Sequence, residues 1–118
     1  MTTTTDPYRP EQLPAAIRTY LDGHDAQDHD GAAAAFTADA VVVDDGSTYR
    51  GRTEIRAWLG HSSAEYTYTT EHVGQQEVGD GEWLVVNHLE GDFPGGTVDL
   101  TFRFVLADGL VRSLTIAP

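Results

Sequence analysis

"TVDLTFRFVLADGLVRSLTIA", residues 97–117, carries the most regular pattern in the chain. Val98, Leu100, Phe102, Phe104 and Leu106 occupy alternate positions, with Asp99, Thr101 and Arg103 between them. A period of two is that of a strand with one buried face. Ala107-Asp108-Gly109 is turn chemistry, and Leu110 to Ala117 returns as a second strand. The chain therefore closes on an antiparallel hairpin with an apolar side.

The same pattern continues upstream. "EYTYTTEHV", residues 65–73, alternates: Tyr66, Tyr68, Thr70 and His72 share one face, and Thr67, Thr69, Glu71 and Val73 the other. The first set suits either a ligand wall or the outside of a pairing sheet. Turns are expected at "GDG", 79–81, and "PGG", 94–96. Between them "EWLVVNHLEGDF", 82–93, reads as a strand with two balanced faces. Trp83, Val85, Asn87 and Leu89 form one set, and Leu84, Val86, His88 and Glu90 the other. Either can face inward, and with the second set His88 would too.

The first half of the chain reads as helices around one strand. Leu13, Ile17, Tyr20, Leu21 and His24 recur at helical spacing and predict a helix over 10–24, with Pro14 in its first turn and Gly23 as a break. "HDAQDHDGAAAAF" predicts a connector and a short helix capped by Asp28 or Asp30, with Ala32, Ala35 and Phe36 inward. Its acids and histidines match no standard metal spacing, so no metal is expected. "AVVVDD" is a strand, "YRG" a loop, and "RTEIRAWLG" a helix with Ile55, Trp58 and Leu59 inward, Gly60 as its stop, and Arg52 and Arg56 solvated. Helices first and a strand meander after argue for an α+β domain over 10–118, preceded by a flexible lead-in, 1–9.

Composition narrows the function classes. Nineteen acidic against seven basic residues give a net charge of −12 over 118 residues. Such a surface repels phosphate backbones and anionic lipid, so no nucleic acid and no membrane partner is expected. The chain has no cysteine, which excludes disulfides and thiolate chemistry and fits a reducing, cytoplasmic location. The start, "MTTTTDPYRP", is no secretory signal by composition.

Two adjacent carboxylates, Asp44 and Asp45, end the valine-rich strand. Alternation places Val42 and Asp44 on one face and Val43 and Asp45 on the other, so only one of the two faces a pocket. A carboxylate in an apolar pocket has its charged form disfavoured, which suits general-base work near neutral pH. The plain alternative is a solvated Asp-Asp-Gly turn.

"AIRTYLDGHDAQDHDGAAAAFTADAVVVDDG", "YRGRTEIRAWL", "GDFPGG" and "LTFRFVLADGLVRSLTI", in this order, resemble the NTF2-like superfamily, particularly its SnoaL-like and ketosteroid-isomerase-like branch. The resemblance covers nearly everything from Pro14 onward. It implies a cone of strongly curved antiparallel sheet with three helices on its concave side, often a homodimer through the sheet. It also implies a general base at Asp44 and a hydroxyl donor at Tyr20. Apart from the resemblance, His88, mid-strand in an otherwise apolar segment, is an optional second acid-base group. The expected pocket wall is Ile17, Val42, Trp58, Leu59, Leu100, Phe102, Phe104, Leu114 and Ile116. The branch's second oxyanion acid falls at Leu100, and Asp99 beside it alternates to the other face. The aspartate-arginine-aspartate set of the epoxide-hydrolase branch has no counterpart.

The implied function is an isomerase, cyclase or dehydratase that moves a proton next to a carbonyl. The partner is a small apolar molecule with a carbonyl or hydroxyl, of polyketide, steroid or terpenoid type. No cofactor is expected, because the carbonyl itself is the electron sink. The alternative is a non-catalytic ligand-binding or dimerisation module, which the missing second acid favours.

Overall fold

The structure, a computed structural model, describes residues 6–118 apart from the side chains of 62–65. Helices α1 (Ala15–Asp25) and α2 (His29–Ala33) lead into the hairpin of β1 (Phe36–Asp44) and β2 (Ser47–Arg50). Helix α3 (Gly51–Glu65) follows, and then β3 (Tyr68–Gly79), β4 (Glu82–Gly91), β5 (Thr97–Ala107) and β6 (Leu110–Ala117). The six strands form one sheet in the order β2-β1-β6-β5-β4-β3. Every pairing is antiparallel except β1 with β6. Register shifts in β1, β3 and β5 bend the sheet, as extra residues in one strand of a pair do. The result is the expected α+β cone. No described helix is long and apolar enough to cross a membrane.

The core lies between the helices and the concave face. Ile17 and Leu21 of α1, Ile55 and Leu59 of α3, and Phe36, Val42, Val85, Phe104 and Leu114 of the sheet are all fully or almost fully buried. Completely burying a Leu, Ile or Phe side chain is worth about 1.5–3 kcal/mol, so this cluster dominates the stability of the cone.

Four local expectations are corrected. The helix expected over 10–24 is split: a 3-10 turn covers Pro10–Gln12, and α1 starts after Pro14. Proline disfavours helical backbone in the residue before it, and Leu13 is extended at φ −79°, ψ 146°. Gly23 does not break α1. It is a contact point, where an added Cβ would stand 2.8 Å from the Ala32 backbone nitrogen of α2. "YRG" belongs to strand and helix rather than loop, because Asp45 (φ 52°) and Gly46 (φ 78°) make a two-residue hairpin turn joining β1 to β2. Gly60 does not end α3: a terminating glycine takes positive φ, and Gly60 does not.

The arginines of α3 also do more than meet solvent. Arg52 donates through Nε and Nη2 to the Phe36 carbonyl (2.8 and 2.6 Å), and Arg56 pairs with Asp30 at 2.7 Å. Together they tie α3 to the start of β1 and to α2. Asp28 is the cap of α2, accepting from the Gly31 N–H at 3.0 Å. Of the expected lead-in, residues 1–5 lie outside the described residues. Asp6 exchanges backbone hydrogen bonds with Gln75 of β3, and the buried Gln75 side chain holds the Arg9 backbone through both its amide atoms.

Candidate active site

The concave side holds a cavity of about 530 Å³. That lies within the roughly 300–1,000 Å³ usual for small-molecule sites. Its deep wall is Tyr20, Leu21, Phe102, Ile116 and Asn87, all buried. Its mouth lies among Tyr66, Pro94 and Thr97, all exposed. The lining is mainly apolar, with a few polar groups at separate points.

Asp44 reaches the cavity because alternation along β1 carries the inward direction of buried Val42 to it. Its Oδ2 accepts a hydrogen bond from the Trp58 indole Nε1 at 3.0 Å. Trp58 thus fixes the carboxylate as well as forming wall. The indole occupies one of the roughly four acceptor positions a carboxylate offers. Asp45, one residue on, is exposed in the turn and also borders the cavity, so the expectation that only one of the two carboxylates meets the pocket is corrected: the left-handed turn conformation of Asp45 breaks the strand alternation.

Tyr20 comes from α1, where helical spacing puts it in line with Ile17 and Leu21. Its ring stands edge-on to Phe36 and Phe104, both at 5.6 Å between centroids. The residue is 1% exposed, and its hydroxyl has no hydrogen-bond partner among the described residues. Leaving such a group unpaired costs about 1–3 kcal/mol. Burial, then the nearby Tyr68, Asp44 and Asp25, pushes its ionisation well above the ordinary phenol range. Tyr20 therefore stays a hydrogen-bond donor, and it faces the same cavity as Asp44.

A second polar cluster lies on the β3 and β4 walls. His72 Nδ1 lies 2.6 Å from Asn87 Oδ1, and its Nε2 lies 2.7 Å from Asp25 Oδ2. His24 stands near both Asp25 (3.9 Å) and the Tyr68 hydroxyl (3.4 Å). Burial raises the Asp25 carboxyl, but the hydrogen bonds and positive charge of His24 and His72 outweigh it and hold the group below its usual range. Among the described residues, no group of three or more His, Asp or Glu has the arrangement of a metal site.

The expected wall is partly deeper than the cavity surface. Trp58, Leu100, Phe102 and Ile116 line it, whereas Ile17, Val42, Leu59, Phe104 and Leu114 form the core beneath. The inward set of β4 is Trp83, Val85, Asn87 and Leu89, with Val85 and Asn87 buried and Asn87 and Leu89 at the cavity. His88 is therefore placed on the opposite face, away from the cavity, bonded to Asp99 at 2.6 Å and Glu90 at 3.2 Å. Tyr66, just ahead of β3, and Tyr68, Thr70 and His72 of β3 all line the cavity. The sequence signal for His72 was there: once one member of that alternating set faces inward, all do.

The SnoaL-like domain family matches residues 17–114. No curated protein matches. A candidate polyketide cyclase from Sinorhizobium meliloti has the same fold at TM-score 0.87 and 30% identity, over 93% of this chain and 100% of that one. The protein RV0760c of Mycobacterium tuberculosis, solved with estradiol-17β-hemisuccinate, superposes at TM-score 0.74 and 21% identity, over 91% of this chain and 95% of that one. Δ5-3-ketosteroid isomerase from a Mycobacterium species superposes at 0.70 and 22% identity, over 88% and 90%. With one curved sheet, three helices over its concave face and this family match across most of its length, the chain belongs to the SnoaL-like domain family.

Proposed function

We propose that the cavity binds a small apolar carbonyl compound and moves a proton on the carbon next to the carbonyl. The observation that carries this reading is the pairing, in one mainly apolar cavity, of a buried hydroxyl without a partner, Tyr20, and an indole-held carboxylate, Asp44. The substrate carbonyl oxygen accepts from Tyr20. Asp44 takes the adjacent C–H proton, and the electron pair moves into the carbonyl to give an enolate. Return of that proton to a different carbon is isomerisation. Attack of the enolate on a second carbonyl is cyclisation, and loss of a β-hydroxyl is dehydration. Tyr20 assists because charge grows on the oxygen it contacts, in a site with little competing water.

The steroid ester held by the Mycobacterium tuberculosis neighbour supports a ligand of polycyclic size. The proposal includes a homodimer formed through the outer sheet face and a cytoplasmic place of work. The test is α-deuterium incorporation into a Δ5-3-ketosteroid and a panel of polycyclic ketones in D2O, read by mass spectrometry. The wild-type protein is expected to catalyse the exchange in at least one ketone and Asp44→Asn to lose it. Equal exchange by both removes Asp44 as the base. The second reading, a binding module, is favoured by Leu100 at the position where the branch has an acid, and it predicts ligand retention without exchange.

A further inference from the structure

Leu100 and Asn87 are direct partners across β5 and β4, and both line the cavity. Directly opposed residues of an antiparallel pair share a face. The apolar position on β5 thus has a buried amide beside it, one strand away. Phe102, against which the Tyr20 ring packs at 6.4 Å, is two residues along β5 from Leu100 on the same face. The amide therefore lies on the wall that Tyr20 itself touches.

The orientation of that amide is fixed from behind. An asparagine has one carbonyl oxygen and an NH2 with two donors. The Asn87 oxygen is engaged by His72 Nδ1 at 2.6 Å. The other ring nitrogen faces the Asp25 carboxylate at 2.7 Å. Each ring nitrogen of His72 thus faces an oxygen, one of Asn87 and one of Asp25. What Asn87 has left for the cavity is its NH2, which has no acceptor among the described residues.

We infer that Asn87 is the second hydrogen-bond donor to the substrate oxygen, positioned by the chain Asp25–His72–Asn87 (whose contacts measure 2.7 and 2.6 Å), so that a neutral amide on β4 serves where Leu100 cannot. The inference builds on the proposed proton transfer, but it concerns the oxygen end of the site, not the base. Asn87 touches the ligand, whereas His72 and Asp25 are positioning residues. The ligand feature recognised is an oxygen that bears or gains negative charge, as in an enolate or a phenolate.

The probe is 4-nitrophenolate, a coloured oxyanion, titrated into Asp44→Asn, where the neighbouring negative charge is gone. Binding is expected, and it should be weaker in the wild-type protein. Adding Asn87→Leu to Asp44→Asn should weaken binding about tenfold or more, the size of a hydrogen bond to a charged group. His72→Leu should weaken it similarly. His72→Gln, which keeps an N–H for the Asn87 oxygen, should restore most of the loss, an outcome a purely structural role would not give. As a control that does not depend on the folding of Asn87→Leu, the side-chain 15NH2 signals of Asn87 are followed in Asp44→Asn itself and should move on binding. No binding by Asp44→Asn, unmoved Asn87 signals in a bound complex, or no loss in Asn87→Leu overturns the assignment. Equal loss in His72→Gln and His72→Leu overturns the positioning chain. Failure of Asp44 as base would show only in the deuterium exchange, which leaves these readings intact.

Discussion

The two faces of the β3-β4-β5 sheet each hold a histidine against a carboxylate, and the cavity lies in front of the concave one. On the concave face His72 bonds Asp25 and Asn87, with 12% of its side chain exposed. On the convex face His88 bonds Asp99 and Glu90, with 32% exposed. The pairs are alike in chemistry and in contact distance, 2.7 and 2.6 Å. What differs is the space ahead. His72 holds an amide that lines a cavity, whereas His88 meets exposed neighbours and water. A histidine-carboxylate pair in this fold takes its role from its face, and one residue step along a strand exchanges the faces.

That contrast can be broken by substitution, and the largest effect is expected inside. Asp44→Asn removes the base and should slow α-deuterium exchange about a thousandfold, the scale of general-base catalysis. Tyr20→Phe removes one oxyanion donor and should slow it roughly a hundredfold, with little loss of fold because the hydroxyl has no partner among the described residues. Similar rates in Tyr20→Phe and wild type would place the substrate oxygen elsewhere.

The inner pair should also show in stability, with a definite sign. The Asp25 carboxyl ionises below its ordinary value in the folded protein. Its contribution is then fully present above the unfolded pKa of about 3.9 and is lost as pH falls through the folded value. Asp25→Asn should cost about 1 kcal/mol at neutral pH, since the carboxylate is partly exposed, and the gap in urea melts should close in acid. A gap that persists in acid would mean that the charge of Asp25 is not what stabilises.

His88 should give the smallest effect and the opposite sign. Hydrogen bonds that the ring donates to Asp99 and then Glu90 raise its ionisation. Its contribution is present below the ordinary histidine value of about 6.5 and fades as pH rises through the folded value. His88→Ala should leave deuterium exchange at the wild-type rate, and an NMR titration of His88 should have its midpoint above the ordinary value. Loss of exchange in His88→Ala would return His88 to the site.

The sequence disclosed most of the fold and about half of the site. Alternation in β5 is unbroken, and Asp45-Gly46 reads as a turn, so that strand and that turn were legible from local chemistry, though not the hairpin the turn makes. Tyr20 and Asp44 were legible through helical and strand spacing, sharpened by the family resemblance. Strand β4 was not, because its two faces are equally mixed: Asn87 interrupts one and His88 the other. The choice between them is made by pairing with β5, whose apolar face fixes the inward direction of both strands. The contact of His72 with Asp25 joins residues 47 apart, which no local pattern encodes. Strand β2 was missed because its four residues, Ser47–Arg50, are too few to show a period. Trp58 was read as wall, but its bond to Asp44 depends on how α3 crosses the end of β1.

The central claim is that one cavity presents a hydrogen-bond donor and a carboxylate to the same carbonyl compound. A crystal structure of Asp44→Asn with a bound 3-ketosteroid tests it most directly. The account predicts the ketone oxygen within about 2.6–3.0 Å of the Tyr20 hydroxyl, with the adjacent carbon facing residue 44. A ligand bound with its oxygen away from Tyr20, or a cavity closed by side chains with the ligand outside it, would contradict the account.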